Sequence, residues 1–252
     1  MSSTLNEERK GGPAAFARLA RPHQWIKNGF VLVGLLFGHA WHDPAMVSAV
    51  LLVFTAFCLV SSGVYVFNDL RDREADRAHP RKRLRPLASG AIQPGAAIAF
   101  ALLLMAAGLA MGFAVSVAAG AILIAYVVMN AGYTLGLKHV AILDVFLIAA
   151  GFMLRILAGT VGVGIPPSQW LLVCGLMVTV FLGFAKRRAE LMALADAGGT
   201  HRRVLDDYSP AQLDSMIAVS AAGVIVSYSL YTVSPETVRL HGTDRLLLTL
   251  PF

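Results

Sequence analysis

The sequence predicts an all-α, polytopic membrane protein, and two observations carry that prediction. Of its 252 residues, 57% are hydrophobic and only 14% charged, with a mean hydropathy of +0.67. That is the composition of a multi-span membrane chain, not of a soluble domain. The apolar residues also gather into runs close to the roughly 20 residues a helix needs to cross a bilayer. Lipid offers no partner for unpaired backbone groups, so such spans are helical.

Taken in order, complete spans are expected at 29–41, 47–67, 96–113, 117–135, 141–161, 169–185 and 213–233. An eighth begins near 246 and is cut off at Pro251 and Phe252, so the C terminus reads as truncated. Residues 1–20 are polar and lack a cleavable apolar core, which makes them a tail rather than a signal peptide. The whole of 1–252 reads as one transmembrane domain. Cys58 and Cys174 both fall inside spans and imply neither a disulfide framework nor a metal knuckle. The charged loops 68–95 and 186–211 each follow a span and lie about 118 residues apart, a hint of a two-fold plan with four helices per half.

Lys and Arg set the expected topology. Five precede the first span (Arg9, Lys10, Arg18, Arg21, Lys27), seven lie in 68–95, Lys138 lies in 136–140, and five lie in 186–211 (Lys186, Arg187, Arg188, Arg202, Arg203). Only Arg239 and Arg245 fall in loops on the other side, and Arg155 falls within a span. An excess of this kind marks the cytoplasmic face. The pI of about 9.6 belongs to that face and to anionic headgroups. Acidic residues interleave with the basic ones at membrane ends, which argues against nucleic-acid binding.

The first charged loop, FNDLRDREADRAHPRKRLRPLASG, packs four carboxylates and seven Lys/Arg into residues 67–90. On a helix continuing the second span, Asn68, Asp69, Asp72 and Asp76 fall within about a third of the circumference. Carboxylates clustered in this way repel, and a cation offsets that. Mg²⁺, which takes one or two carboxylates plus phosphate oxygens and waters, suits the set. The alternative is a solvated helix end neutralised locally by Arg71, Arg73 and Arg77. Pro80 and Pro86 then stop the helix, and Lys82, Arg83 and Arg85 between them can reach the same place and bind phosphate oxygens. Carboxylates for metal, metal for diphosphate and cations for the remaining charge give this mixture one purpose.

The stretch NDLRDREAD fits the NDxxDxxxD motif, and HPRKRLRPL resembles the segment that follows it, in the UbiA-type intramembrane prenyltransferase superfamily. The resemblance covers essentially the whole chain. It implies a UbiA-like bundle of nine helices around a central cavity that opens laterally to lipid, with Mg²⁺-bound diphosphate on the first motif. It also implies a second aspartate-rich motif, where this chain reads FAKRRAELMALAD instead. Lys186, Arg187 and Glu190 share a helical face there. Either they form ordinary i,i+3 and i,i+4 ion pairs, or two cations replace one metal, with Glu190 orienting them or accepting a hydroxyl.

RPHQWIKN (Arg21 to Asn28), YTLGLKH (Tyr133 to His139), GFMLRILAG (Gly151 to Gly159) and the KRxAEL pattern at Lys186 resemble the decaprenyl-phosphate phosphoribosyltransferase branch of that superfamily. That branch moves 5-phosphoribose from phosphoribosyl diphosphate (PRPP) onto a polyprenyl phosphate. The resemblance implies the same chemistry here, in a bacterial inner membrane with the active site towards the cytoplasm. It implies catalytic roles for Asp72, Lys186 and Arg187, metal contacts for Asn68, Asp69, Asp72 and Asp76, and substrate contacts for Lys27, Asn28, Lys82, Arg83, Arg85 and Glu190. Tyr208 is implied as a loop residue closing over the donor. Ionising an allylic diphosphate and ionising the anomeric bond of PRPP both require the leaving diphosphate to be stabilised by metal and cations. A phosphate acceptor is already anionic and needs no strong base.

Weaker signals complete the reading. Lys138 is either a cytoplasmic anchor or a phosphate contact. Asp144 and Arg155, eleven residues apart, share a helix face, and intramembrane charges face a bundle interior or cavity, unless Arg155 snorkels to the far interface. VLDDYSPAQ resembles the ribose-binding acids of soluble phosphoribosyltransferases, but no phosphate loop accompanies it. His39, His42 and Asp43 read as interfacial residues rather than a metal site. Two rival functions stand beside the main one: a UbiA-type prenyltransferase acting on an aromatic acceptor such as a hydroxybenzoate, and a transporter or passive membrane scaffold. The sequence leaves association of identical copies open.

Overall fold

A computed structural model describes residues 12–197 and 207–242. The eighth span expected from about 246, the cations Arg9, Lys10, Arg202, Arg203 and Arg245, and residues 204–206 lie outside the described residues.

The described residues fold as α1 (Pro13–Ala20), a 3₁₀ helix (Pro22–Leu32), α2 (Val33–Phe37), α3 (Pro44–Arg71), α4 (Arg73–Ala78), α5 (Pro94–Val115), α6 (Val117–Leu135), α7 (Leu143–Ala158), α8 (Gln169–Ala197), α9 (Pro210–Val233) and α10 (Pro235–His241). Six of these segments, starting at Pro44, Pro94, Val117, Leu143, Gln169 and Pro210, are long and apolar enough to cross a membrane. Helix starts follow local chemistry. Pro44, Pro94 and Pro210 occupy first-turn positions, where a missing N–H costs nothing. The Asp43 carboxylate accepts from the Ala45 and Met46 amides, and the Ser116 and Ser209 hydroxyls cap α6 and α9. Asp43 is therefore a helix cap.

The expected helix at 29–41 is corrected. Residues 29–32 end an eleven-residue 3₁₀ helix that begins at Pro22, and the five α-helical residues Val33–Phe37 follow. Side-chain bonds tie it to α3: the Trp25 indole donates to Ser62 at 3.0 Å, and the Asn28 amide donates to Ser61 at 3.2 Å. The 3₁₀ rise of about 2.0 Å per residue lets these few residues cover about 30 Å, a bilayer core. α3, α5, α8 and α9 extend beyond the expected bounds, α6 matches them and α7 falls short at both ends; α3 and α8 carry their charged ends, including Asp69, Arg71, Lys186 and Arg187, as continuing helix.

Backbone contact fixes how this first crossing sits. A Cβ on Gly159 would lie 1.7 Å from the Val31 carbonyl oxygen, and one on Gly34 would lie 2.0 Å from the Gly159 oxygen. Only glycine allows the two chains to meet there. The main core lies between the 3₁₀ segment, α3, α6 and α7, around Val53, Phe57, Val60, Leu123 and Tyr126.

The bundle has two chemically distinct ends. At one end Lys138 meets Asp72, Tyr208 meets Ile142, and Arg188 meets Asp214. At the other, Ser116 bonds the Gly162 carbonyl and Phe37 packs on Tyr231. The expected charged loops thus share one end.

Candidate active site

The helix carrying the acidic motif does not run straight through it. Asp72 has φ −88° and ψ 6°, and a new helix starts at Arg73. The motif consequently divides. Asp69 and Asp76, both nearly fully buried, converge on Arg85, whose Nη1 lies 3.1 Å from Asp69 and 2.6 Å from Asp76. Arg21 also pairs with Asp69, and the Lys82 ammonium lies 3.9 Å from Asp76. Asn68 and Asp72 are engaged elsewhere. The Thr134 hydroxyl donates to the Asn68 amide oxygen, and Lys138 Nζ donates to Asp72 at 3.0 Å. The Asp72 side chain remains 43% exposed.

This arrangement changes the expectation of one four-oxygen face. Among the described residues, no three His, Cys, Asp or Glu side chains group closely enough to hold a metal ion by themselves. Mg²⁺ asks for less, since one or two carboxylates suffice when waters and phosphate oxygens complete the octahedron. The partly exposed Asp72 carboxylate and the Asn68 amide oxygen one turn away fit that demand. Asp69 and Asp76 are occupied by arginines, which hold Arg85 in place.

Behind Asn68 lies a cavity of about 240 Å³. Lys27, Asn68, Asn130 and Arg155 line it, together with Tyr65, Tyr126 and Tyr133. Arg155 is buried, and it does not snorkel. Its Nε donates to the Asn28 oxygen at 2.8 Å, Nη1 to the Gly151 carbonyl at 2.7 Å, and Nη2 to the Tyr126 hydroxyl at 3.1 Å. The rings of Phe57, Tyr126 and Phe152 lie 4.8–5.5 Å from its guanidinium carbon. All its recorded partners are neutral, so its charge is available to an anion. Asn28, expected at the substrate, is completely buried and positions Arg155 instead. Lys27 lies within electrostatic reach of Lys186, Arg155 and Arg21, and of these four cations Lys27 and Arg155 line the cavity.

The second charged segment is also rearranged. Arg187, expected to hold phosphate openly, is only 1% exposed. Its Nε donates to Asp144 and its Nη1 to Glu190, each at 2.6 Å. Its remaining Nη2 is buried with no partner among the described residues. Lys186 stays exposed, 3.9 Å from Glu190. Tyr208 donates to Asp144 at 2.8 Å and accepts the Ile142 amide. Burial pushes the Tyr208 hydroxyl up to about 12, so it remains a protonated donor. Arg83 sits on the exposed 3₁₀ turn Lys82–Leu84, away from these contacts. Tyr126 and Thr134 were missed as site residues, while Asp144 was noted as a charge inside a span and its pairing with Arg187 was missed. A carboxylate inside a span was the available signal for Asp144.

Six segments long and apolar enough to cross a membrane, with the buried Arg155 and the exposed Lys27 lining a polar cavity, define a multi-pass membrane protein. A family model for the UbiA prenyltransferase family matches residues 29–198, and the chain belongs to that family. It is a membrane-embedded transferase. It is 36% identical over 228 residues to a decaprenyl-phosphate phosphoribosyltransferase of Corynebacterium glutamicum, covering 89% of this chain and 68% of the relative. The enzyme of the same name from Mycolicibacterium smegmatis is 37% identical over 223 residues, with 87% and 70% covered. The fold is similar to a UbiA homolog from Archaeoglobus fulgidus bound to DMAPP and Mg²⁺, with a TM-score of 0.76 at 17% identity over 94% of this chain and 84% of that one.

Proposed function

We propose that this chain transfers 5-phosphoribose from PRPP to a polyprenyl phosphate, releasing diphosphate. One observation carries the reading: the inner cavity is lined by Lys27 and Arg155 and by no carboxylate. A geranyl-type tail there would cover two cations and two asparagines from water without any counter-charge. PRPP, anionic at both ends, meets them favourably. The names of the relatives in Corynebacterium and Mycolicibacterium support the same donor and acceptor classes.

In this reading, Asp72 and Asn68 hold Mg²⁺, which supplies charge for the leaving diphosphate. Lys138 orients Asp72 and contacts phosphate. Arg155 and Lys27 clamp the phosphate at the other end of the donor, and the phenols of Tyr126 and Tyr133 face its hydroxyls. Arg187, fixed by Asp144 and Glu190, keeps one buried N–H group without a partner among the described residues for an anion to take up, while Lys186 offers an exposed ammonium. An acceptor phosphate oxygen forms a bond to the anomeric carbon as the C–O bond to diphosphate breaks, and no proton has to be removed. Holding two anions in this geometry is the main catalytic task. The charged end faces the cytoplasm of a bacterial inner membrane, as the Lys/Arg asymmetry of 18 to 2 supports.

Purified protein is assayed with PRPP plus polyprenyl phosphate and, separately, with a prenyl diphosphate plus hydroxybenzoate. The reading expects lipid product only from the first pair. Product only from the second would replace it with aromatic prenylation.

A further inference from the structure

A second cavity, of about 760 Å³, lies on the outer side of the Asp72–Lys138 pair, between α3, α5 and α6. Its wall is apolar, with Phe67 from α3, Ile98, Leu102 and Met105 from α5, and Leu135 from α6. Phe67, Ile98, Leu102 and Leu135 are exposed, so the groove opens sideways to lipid. Its charged end carries Arg71, Lys138 and His139, with Asp72 paired to Lys138. From Ile98 to Met105 it descends about 10 Å along α5. It is then closed below, because Gly108 brings α5 against the Ala56 carbonyl of α3, where a Cβ would lie at 2.7 Å.

We infer that this groove seats the acceptor, a polyprenyl phosphate, with its phosphate at Arg71 and Lys138 and its first isoprene units along α5. This rests on the phosphoribosyl-transfer reading for the identity of the acceptor. Two features favour a single-chain phosphate monoester over an ordinary bilayer lipid. Its charged end offers Arg71 and Lys138, which suit the greater negative charge of a phosphate monoester over a diester, and its apolar wall runs about 10 Å along α5, room for the first isoprene units of one chain. The groove and the inner cavity also share a wall. Thr134 lines the groove while its hydroxyl bonds Asn68, which lines the inner cavity. The two substrates therefore approach the Asn68–Asp72 turn from opposite sides, the donor from the bundle interior and the lipid from the membrane. Each keeps its own compartment until they meet there.

The test needs neither donor nor turnover. Purified protein is irradiated with a polyprenyl phosphate bearing a diazirine on its second isoprene unit, and labelled peptides are mapped. Label is expected on Ile98, Leu102 or Leu135, displaced by unlabelled polyprenyl phosphate at a tenfold lower concentration than by phosphatidylglycerol. Leu102→Trp, or Ile98→Trp if the first variant is not monodisperse, should cut labelling at least fivefold. Val219→Trp, on a lipid-facing position of α9, should not. Label confined to other helices, equal displacement by phosphatidylglycerol, or full labelling of well-folded Leu102→Trp and Ile98→Trp would overturn the assignment. A protein that binds the probe in this groove yet fails to use PRPP would refute the donor reading alone.

Discussion

Arg187 and Asp144 form an ion pair of 2.6 Å between α8 and α7, with side chains 1% and 0% exposed. Neither partner can be solvated where it sits, so each depends on the other. Glu190 and Tyr208 complete the cluster at 2.6 and 2.8 Å. The pair joins the helix bearing the second charged segment to the helix bearing Arg155.

Asp144→Ala leaves a buried guanidinium without its main counter-charge. Breaking such a pair from one side typically costs about 3–5 kcal/mol. The expected outcome is a clear loss of thermal stability in detergent, measured by the temperature at which the protein ceases to elute as a single species. The double variant Asp144→Asn with Arg187→Gln should recover much of that stability while staying inactive. Recovery of activity as well would show that Arg187 serves only the fold.

Asp72→Asn should leave folding intact, because Asp72 is partly exposed and its side-chain partner among the described residues is Lys138. Turnover should fall by about 10²–10³, the usual effect of removing one charge-stabilising contact from a transition state. Asp76→Asn should behave differently. It loosens Arg85, so stability as well as rate should drop. Matched kinetics and thermal melts of the two variants separate these outcomes.

Arg155→Met should lower kcat/KM for PRPP by about tenfold or more, in keeping with loss of a charge-assisted contact in a desolvated site. The KM for polyprenyl phosphate should stay unchanged. Asn28→Ala should reproduce part of the effect, because the Asn28 oxygen accepts from Arg155 Nε. Equal losses for both substrates would place Arg155 in the packing of the bundle and not at the donor.

Gly159→Val should fail to give folded protein, since a Cβ there would sit 1.7 Å from the Val31 carbonyl oxygen. Yield of membrane-inserted, monodisperse protein is the readout. Normal yield would mean that the first crossing does not touch α7 in this way.

Single cysteines at Arg81 and Trp41, with Cys58 and Cys174 replaced, report orientation. In intact cells an impermeant thiol reagent should label position 41 and spare position 81. The opposite pattern would place the charged end outside.

Much of this architecture was legible in the sequence because it rests on local signals. Apolar run length gave α3 and α5–α9. Asn68, Asp72 and Lys138 stood out because charge at a membrane end is costly without a purpose. Less was legible where the answer depends on distant partners. The run at 29–41 is equally apolar as an α-helix or a 3₁₀ helix; what decides is Asn28 and Trp25 reaching Ser61 and Ser62 on α3. The i,i+3 spacing pointed to the Arg187–Glu190 contact, but Asp144 is 43 residues away on another helix. Helical spacing likewise put Asp69 and Asp76 beside Asp72, whereas the break at Asp72 turns them to Arg85.

The central claim is that the sugar phosphate, and not the diphosphate, passes from donor to lipid. PRPP carrying ¹⁴C in the ribose and ³²P at the β-phosphate tests it in one tube with polyprenyl phosphate and Mg²⁺. The account predicts ¹⁴C in the lipid extract and all ³²P in water as diphosphate, with both signals lost in Asp72→Asn. Lipid-bound ³²P, or an absence of ¹⁴C transfer from protein that attaches a prenyl diphosphate to hydroxybenzoate, would contradict it.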